Sequence, residues 1–267
     1  MRLQTSLGTL AYDDTLGNGP LVVCLPGMGD NRSTYRHLTP PLVAAGYRVV
    51  TLDLRGQGES DAVWPDYSPE AIGADLLALL RHLDAGPAVL ITNSYTGATA
   101  VWAAAEAPAA FSALILTDPF ARVMPPPNVF MKLATAAVGR FRPFWMMYWS
   151  SLFKTRRPAD FAAARGELSR QLGEPGRMAA LRAMFAADVS VCEARFAGVR
   201  TPALVVMGSR DPDFPAPADE AALIAGRLHG DVAMIDGAGH YPQTEYPAET
   251  AAAVLTFLRA ELSTGRP

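Results

Sequence analysis

The stretch AVLITNSYTG, residues 88–97, passes from an apolar β-branched run into the start of an alanine-rich helical pattern. Residues 88–92 have the unbroken apolar character of a strand that is buried on both faces. A helical spacing of apolar residues begins at Thr96 and continues to Ala105. Ser94 therefore stands on a sharp turn between a buried strand and a helix.

Similar strand-like and helical segments alternate on both sides of this turn. The predicted strands are Leu21–Leu25, Arg48–Leu52, Ala88–Thr92, Ala113–Thr117, Ala203–Met207 and Val232–Ile235. The predicted helices are Thr34–Ala45, Glu70–Leu83, Thr96–Ala105, Asp219–Leu228 and Ala248–Leu262. The segment Arg2–Tyr12 alternates in polarity, which predicts an antiparallel edge hairpin. This order predicts an α/β fold with a mostly parallel twisted sheet flanked by helices.

The alternation stops between about residues 120 and 198. Three prolines, Pro125 to Pro127, open a segment that is helical in pattern and has no convincing strand. An insertion between two parallel strands most simply lies over their carboxyl ends, where such folds bind ligands. We predict that residues 120–198 form a helical cap and that residues 1–119 and 199–267 form the core domain.

The composition is that of a globular protein from a reducing compartment. Of 267 residues, 50% are hydrophobic and 18% are charged, which excludes a disordered chain and a coiled coil. Two cysteines cannot form a disulfide framework. The net charge of −3 gives no reason to expect a nucleic-acid partner. Neither a signal peptide nor a continuous apolar span is evident, so a cytoplasmic location is expected.

Three polar residues follow three different predicted strands. Ser94 follows the third long apolar run, Asp211 follows the run ending at Met207, and His240 follows the run ending at Ile235. A serine becomes a good nucleophile when an imidazole accepts its proton and a carboxylate orients that imidazole. The pattern therefore predicts a catalytic triad. Taken alone, however, Ser94 could equally be a helix N-cap.

Several short motifs resemble the α/β-hydrolase fold family in its common form with a helical cap. The motifs are Pro26-Gly27-Met28-Gly29 after an early strand, Asp53-Leu54-Arg55-Gly56-Gln57-Gly58-Glu59-Ser60, and Gly239-His240-Tyr241-Pro242 before the last helix. The resemblance implies a serine hydrolase that uses neither cofactor nor metal. It also implies an oxyanion hole formed by the backbone N–H groups of Met28 and Tyr95. Some members carry the acid after an earlier strand, so Asp118 is an alternative candidate for the triad acid. We favour Asp211 for this role.

The turn at Ser94 departs from the family pattern. The family usually has Gly-x-Ser-x-Gly there, whereas Thr92 and Thr96 occupy both glycine positions in this chain. Threonine should crowd the turn and place a hydroxyl beside the nucleophile. A second hypothesis is therefore a small-molecule binding protein with slow turnover.

Aromatic residues are concentrated in the predicted cap. Residues 130–153 contain seven of them, and apolar positions from Phe141 to Leu152 form one broad helical stripe. Trp145, Tyr148 and Trp149 are our candidates for lining an apolar substrate pocket. The alternative is that the stripe only packs the cap onto the core domain.

The same region is purely basic. Residues 119–159 contain no Asp or Glu but seven Lys or Arg residues. This pattern suggests an anionic lipid surface, an acidic carrier protein or an anionic substrate as a partner, or else a solvated basic face. The sequence leaves the oligomeric state open.

The leading hypothesis is a serine hydrolase that cleaves an apolar or aromatic ester, lactone or thioester through an acyl-enzyme. A serine at the turn argues against the epoxide hydrolases and haloalkane dehalogenases of the family, which use a carboxylate nucleophile. Carbon–carbon bond hydrolases and perhydrolases use the same triad and remain alternatives.

Overall fold

Eight strands form one twisted sheet in the described part of the chain. The computed structural model describes residues 1–126 and 128–263, with the backbone only for Met131, Leu262 and Ser263; Pro127 and residues 264–267 lie outside the described residues. The strands are β1 (Arg2–Gln4), β2 (Thr9–Asp14), β3 (Leu21–Leu25), β4 (Arg48–Leu52), β5 (Ala88–Asn93), β6 (Phe111–Thr117), β7 (Ala203–Gly208) and β8 (Asp231–Ile235). Their order in the sheet is β1-β2-β4-β3-β5-β6-β7-β8.

The sheet is parallel from β4 to β8 along its width. The antiparallel pairs are β1 with β2 and β2 with β4, so the predicted edge hairpin is confirmed. The other six predicted strands are also confirmed, with ends that move by at most two residues. The fold class predicted from the alternation of strands and helices is therefore correct.

Eleven α-helices connect or cover the strands in the described residues. They are α1 (Thr39–Ala44), α2 (Pro69–Leu83), α3 (Thr96–Glu106), α4 (Val129–Arg140), α5 (Arg142–Ser151), α6 (Phe161–Leu172), α7 (Arg177–Ala186), α8 (Ser190–Glu193), α9 (Pro217–Leu228), α10 (Pro242–Glu245) and α11 (Pro247–Ser263). The described helices include none that is long and apolar enough to cross a membrane.

One predicted helix is wrong at its start. The helix expected over Thr34–Ala45 is a 3₁₀ turn at Arg32–Tyr35 followed by a short helix from Thr39. Pro40 and Pro41 lie in the first turn of that helix, where their missing N–H groups cost nothing. Two adjacent prolines prevent the helical hydrogen bonds from extending back to Thr34.

Alternate residues of the central strands pack into two apolar layers. Val23 of β3 lies in the layer covered by α2, α3 and α9, whereas its neighbour Val22 lies in the layer covered by α1 and α11. This alternation is what a pleated strand produces when both faces are buried. Both cysteines lie in the interior as free thiols. The two layers hold the carboxyl ends of the parallel strands in fixed positions.

Helices α4 to α8 lie between β6 and β7, and no strand interrupts them in the described residues. We call this segment the helical insert. A third apolar cluster joins the insert to the core through Trp145, Trp149 and Tyr241. The boundaries at residues 120 and 198 stay a prediction.

Candidate active site

Ser94 is held in a left-handed backbone conformation between β5 and α3. Its φ is 58°, in a region that non-glycine residues adopt rarely and at an energetic cost. Its N–H donates to the Thr117 carbonyl over 3.0 Å, and its own carbonyl accepts from Gly97 and Phe120, each at 2.9 Å. Tyr95 flanks the start of α3, which has no side-chain cap. The N-cap interpretation of Ser94 is therefore wrong.

Asp211 and His240 form a buried hydrogen-bonded pair. Nδ1–H of His240 donates to Oδ2 of Asp211 over 2.6 Å. Their side chains are 2% and 0% exposed, so water does not screen the contact. Asp211 also accepts the N–H of Asp213 over 2.9 Å, which fixes its carboxylate. With Nδ1 engaged in this way, Nε2 of a neutral His240 is left to accept a proton.

The carboxylates around His240 favour its charged form. Burial alone would lower the pKa of His240, but the charge and hydrogen bond of Asp211 and the charge of Asp213 together raise it above its ordinary value. The Asp213 carboxylate lies 3.8 Å from Nδ1. An imidazolium formed during a reaction would therefore be stabilised here.

Asp118, the competing acid, lies behind Asp211 rather than on the imidazole. Its Oδ1 accepts the N–H of Gly208 over 2.9 Å. Burial and the charge of Asp211 raise the pKa of Asp118 well above its usual range. Its buried Oδ2 has no donor partner, and a proton on that oxygen would be donated to Asp211. Asp118 therefore acts as a neutral acid that donates a hydrogen bond to the ionised Asp211.

Backbone and amide contacts bring Ser94 and His240 to the same place. The amide of Asn93 donates to the carbonyl of His240 over 3.2 Å and to that of Thr117 over 3.3 Å. The Phe120 ring lies 6.0 Å from the His240 ring, and the Phe120 N–H binds the Ser94 carbonyl. Ser94 and His240 therefore contact the same two residues, Asn93 and Phe120.

The loop after β3 runs beside Ser94. A Cβ at Gly27 would lie 3.0 Å from the Cβ of Ser94, so only glycine lets the loop approach this closely. The N–H groups of Met28 and Tyr95 donate to no acceptor among the described residues. Two such unpaired donors next to a nucleophile are what an oxyanion hole requires.

The threonine that replaces the second family glycine binds the backbone. The hydroxyl of Thr96 lies 2.9 Å from the Asn93 carbonyl and 3.1 Å from the Pro26 carbonyl. It therefore links the turn at Ser94 to the loop after β3. Thr92 is fully buried, and its hydroxyl has no partner among the described residues.

The three candidate pocket residues differ in their surroundings. The indole N–H of Trp145 donates to the Gly29 carbonyl over 3.0 Å, and Tyr148 donates to Asp213 over 2.6 Å. Both residues thus touch the loops that carry the site. Trp149 packs against Phe161 and Tyr241, with ring centroids 5.4 Å and 6.0 Å away. Its position suits the packing alternative better than the other two do.

Sequence reasoning missed three supporting residues. They are Asn93, Asp213 and Glu245, whose carboxylate accepts the N–H of Gly239 at 2.7 Å and that of Lys154 at 2.9 Å. Each lies within five residues of a predicted triad member. Their closeness in sequence to the predicted triad is therefore the signal that could have found these three residues. Their hydrogen-bond partners, however, are distant in sequence.

One group in the described residues also offers metal ligands. Ligand atoms of Asp118, Asp211 and His240 all lie within 4.8 Å of one another. A metal ion there would compete with the hydrogen bond between Asp211 and His240. The same residues fit the hydrogen-bonded chain described above.

A model of the alpha/beta hydrolase family matches residues 22–253, and the chain belongs to that family. The motifs that carry the resemblance in the sequence belong to the mostly parallel sheet and to the loops at its carboxyl edge. The family assignment made from the motifs is thus confirmed.

Three similar proteins indicate the range of the family. Polyketide synthase ThaQ of Burkholderia thailandensis is 29% identical over 252 residues, which is 91% of this chain but 12% of ThaQ. Epoxide hydrolase A of Mycobacterium tuberculosis is 27% identical over 301 residues, covering 90% of each chain. The structure of a thermophilic esterase from Thermogutta terrifontis has a TM-score of 0.80 at 24% identity and covers 98% of this chain and 99% of its own. Such relatives support a hydrolase of this fold.

Proposed function

We propose that the protein is a serine hydrolase that cleaves an apolar or aromatic ester, lactone or thioester. The observation that carries the proposal is the strained Ser94 beside two free backbone N–H groups, next to the buried pair of Asp211 and His240. This arrangement supports acyl transfer because it supplies a nucleophile, a base and a site for an oxyanion.

The reaction would proceed in two halves. Nε2 of His240 takes the proton of Ser94 as its Oγ attacks the carbonyl carbon, and the N–H groups of Met28 and Tyr95 hold the oxyanion. The imidazolium then protonates the leaving group, and an acyl-enzyme remains. Water, deprotonated by the same imidazole, attacks the acyl carbon and releases the acid and Ser94. Asp211 stays ionised throughout and stabilises the charged ring.

A serine at the turn separates this site from an aspartate-dependent mechanism. Epoxide hydrolase A is similar along most of its length, but an attack by Oγ leads to an acyl-enzyme only with a carbonyl substrate. Carbon–carbon bond hydrolases and perhydrolases with the same triad are the alternatives in reaction type. Trp145 and Tyr148 border the site loops, which supports an apolar acyl group.

The test is direct detection of the acyl-enzyme. We expect p-nitrophenyl acetate, hexanoate and benzoate to give a burst of about one equivalent of p-nitrophenol, followed by steady turnover. After rapid acid quench, intact-mass and peptide analysis should find the acyl group on Ser94. Matched lactones and acyl thioesters then rank the leaving groups.

The outcomes separate the hypotheses. A burst with near-zero turnover would favour the slow binding protein. Turnover without an acyl adduct on any residue would exclude covalent catalysis by serine. Acylation at a serine other than Ser94 would move the site.

A pH profile tests the charge assignment of the buried carboxylates. Because nearby charges raise the pKa of His240 and the base must be neutral, kcat/KM should rise through an apparent pKa above the ordinary histidine value of about 6.5. Asp118→Asn should leave that limb in place, since an amide can accept from Gly208 and donate to Asp211 as the neutral acid does.

The contrary result is equally clear. If Asp118 were ionised, Asp118→Asn would remove a negative charge near His240 and move the limb to lower pH. The matched variant is Asp118→Leu, which removes the donor and leaves the Gly208 N–H unpaired. That loss should destabilise the fold by about 1–3 kcal/mol, measured by urea unfolding.

A further inference from the structure

Three helices of the insert present a face with large exposed apolar side chains. Helix α4 packs against both α5 and α7. The exposed apolar residues on or between them are Val129, Phe130, Leu133, Phe141, Phe144, Met147 and Phe185. We call this surface the aromatic face. Phe130 is 83% exposed and Leu133 is 65% exposed. Contiguous patches of this kind on a folded protein mark interaction sites.

The charges on the aromatic face have one sign. Lys132, Arg140, Arg142 and Arg182 lie on the three helices, and residues 119–159 and 175–187 contain no acid. In the described part of the chain, none of these four cations is within salt-bridge distance of a carboxylate. The bordering acid Glu174 is paired with Arg170 and Arg177. The positive charge of the aromatic face is therefore available to an external anion.

The aromatic face is continuous with the candidate active site. The Phe185 ring lies 5.9 Å from the Trp145 ring. The indole N–H of Trp145 in turn donates to the Gly29 carbonyl in the loop after β3. A Cβ at Gly139 would lie 3.3 Å from Phe185, so α4 and α7 are in close contact at this point. The aromatic face thus adjoins Trp145, which binds the loop that runs beside Ser94.

We propose that the aromatic face docks the protein onto an anionic lipid bilayer. The combination of projecting aromatic and aliphatic side chains with unpaired Lys and Arg is the one that binds in the interface of a membrane with acidic headgroups. Side chains as exposed as Phe130 and Val129, which is 69% exposed, project from the surface rather than line a groove. Projecting chains fit between lipid acyl chains, whereas an acidic protein partner would require a matching cavity of its own.

The test is co-sedimentation of the intact protein with vesicles. Binding to vesicles of phosphatidylcholine with about 30% phosphatidylglycerol should be at least about 25-fold tighter than binding to phosphatidylcholine alone. Salt at 0.5 M should remove most of that difference, since it shortens the screening length to a few ångströms. The assay needs no turnover, so its failure is distinct from failure of the proposed hydrolase activity.

Two variants separate the apolar and charged contributions. Phe130→Ser with Leu133→Ser should weaken binding to both vesicle types by at least about tenfold. Lys132→Ser with Arg140→Ser should weaken only binding to the anionic vesicles, by about 25-fold, because each cation near an anionic surface contributes about fivefold. The matched control is Val63→Ser, an apolar residue that is 77% exposed outside the three helices; it should bind as the parent does.

Three results would overturn the proposal. The first is equal binding to neutral and anionic vesicles at all salt concentrations. The second is a dimer by light scattering that Phe130→Ser with Leu133→Ser converts to a monomer, which would make the aromatic face a contact between copies. The third is binding of an acidic acyl carrier protein in the absence of any vesicle binding. Circular dichroism of each variant confirms that the fold is retained.

Discussion

Ser94→Ala is expected to lower kcat by at least about 10³-fold and to abolish covalent labelling by a fluorophosphonate probe. The loss corresponds to about 4 kcal/mol of transition-state stabilisation. Its physical reason is that Ser94, held with φ at 58° on the turn between β5 and α3, supplies the proposed attacking oxygen. An alanine keeps the backbone but removes the attacking atom.

The control for this variant is Ser112→Ala in β6, which is outside the site. It should label and turn over as the parent protein does. Unchanged labelling of Ser94→Ala would place the nucleophile elsewhere. Circular dichroism should show that Ser94→Ala is folded, because the probe labels only a serine that an intact site activates.

Asp211→Asn is expected to lower kcat by about 10⁴-fold. Asp211 accepts a hydrogen bond from Nδ1–H of His240 over 2.6 Å. An amide with its oxygen held by the Asp213 N–H would present an NH₂ group to Nδ1 instead. His240 would then carry its proton on Nε2, where it cannot accept the proton of Ser94.

The matched control is Asp213→Asn. Its carboxylate is 3.8 Å from Nδ1, too far for a hydrogen bond, and it already binds the Tyr148 hydroxyl. Removing its charge should move the pH profile to lower pH and leave the maximal kcat within about threefold. If Asp213→Asn were the inactive variant and Asp211→Asn the active one, the orienting acid would be Asp213.

Local sequence patterns are sufficient to predict the sheet and to place the candidate triad residues at its edge. The runs around Val23 and Ile91 are apolar because both faces of those strands are covered. Strand ends then identify Ser94, Asp211 and His240 without any long-range information. The helical pattern is wrong over Thr34–Ala45, because the spacing of apolar residues takes no account of the two prolines in this segment.

Other parts of the site depend on contacts between distant segments. Asn93 reaches the carbonyl of His240, 147 positions away in the chain, and no periodicity encodes that contact. The role of Asp118 likewise depends on Asp211 lying against it, which decides which of the two carboxyls keeps its proton. Pairings of this kind follow from the topology of β6 and β7, which are adjacent only in the folded sheet.

The backbone of His240, the candidate base, is hydrogen-bonded to the insert itself. The N–H of His240 donates to the Leu152 carbonyl over 3.0 Å, and Glu245 clamps the N–H groups of Gly239 and Lys154 together. Lifting the end of α5 would therefore pull the imidazole away from its acid. The insert is therefore part of the framework that positions the candidate base.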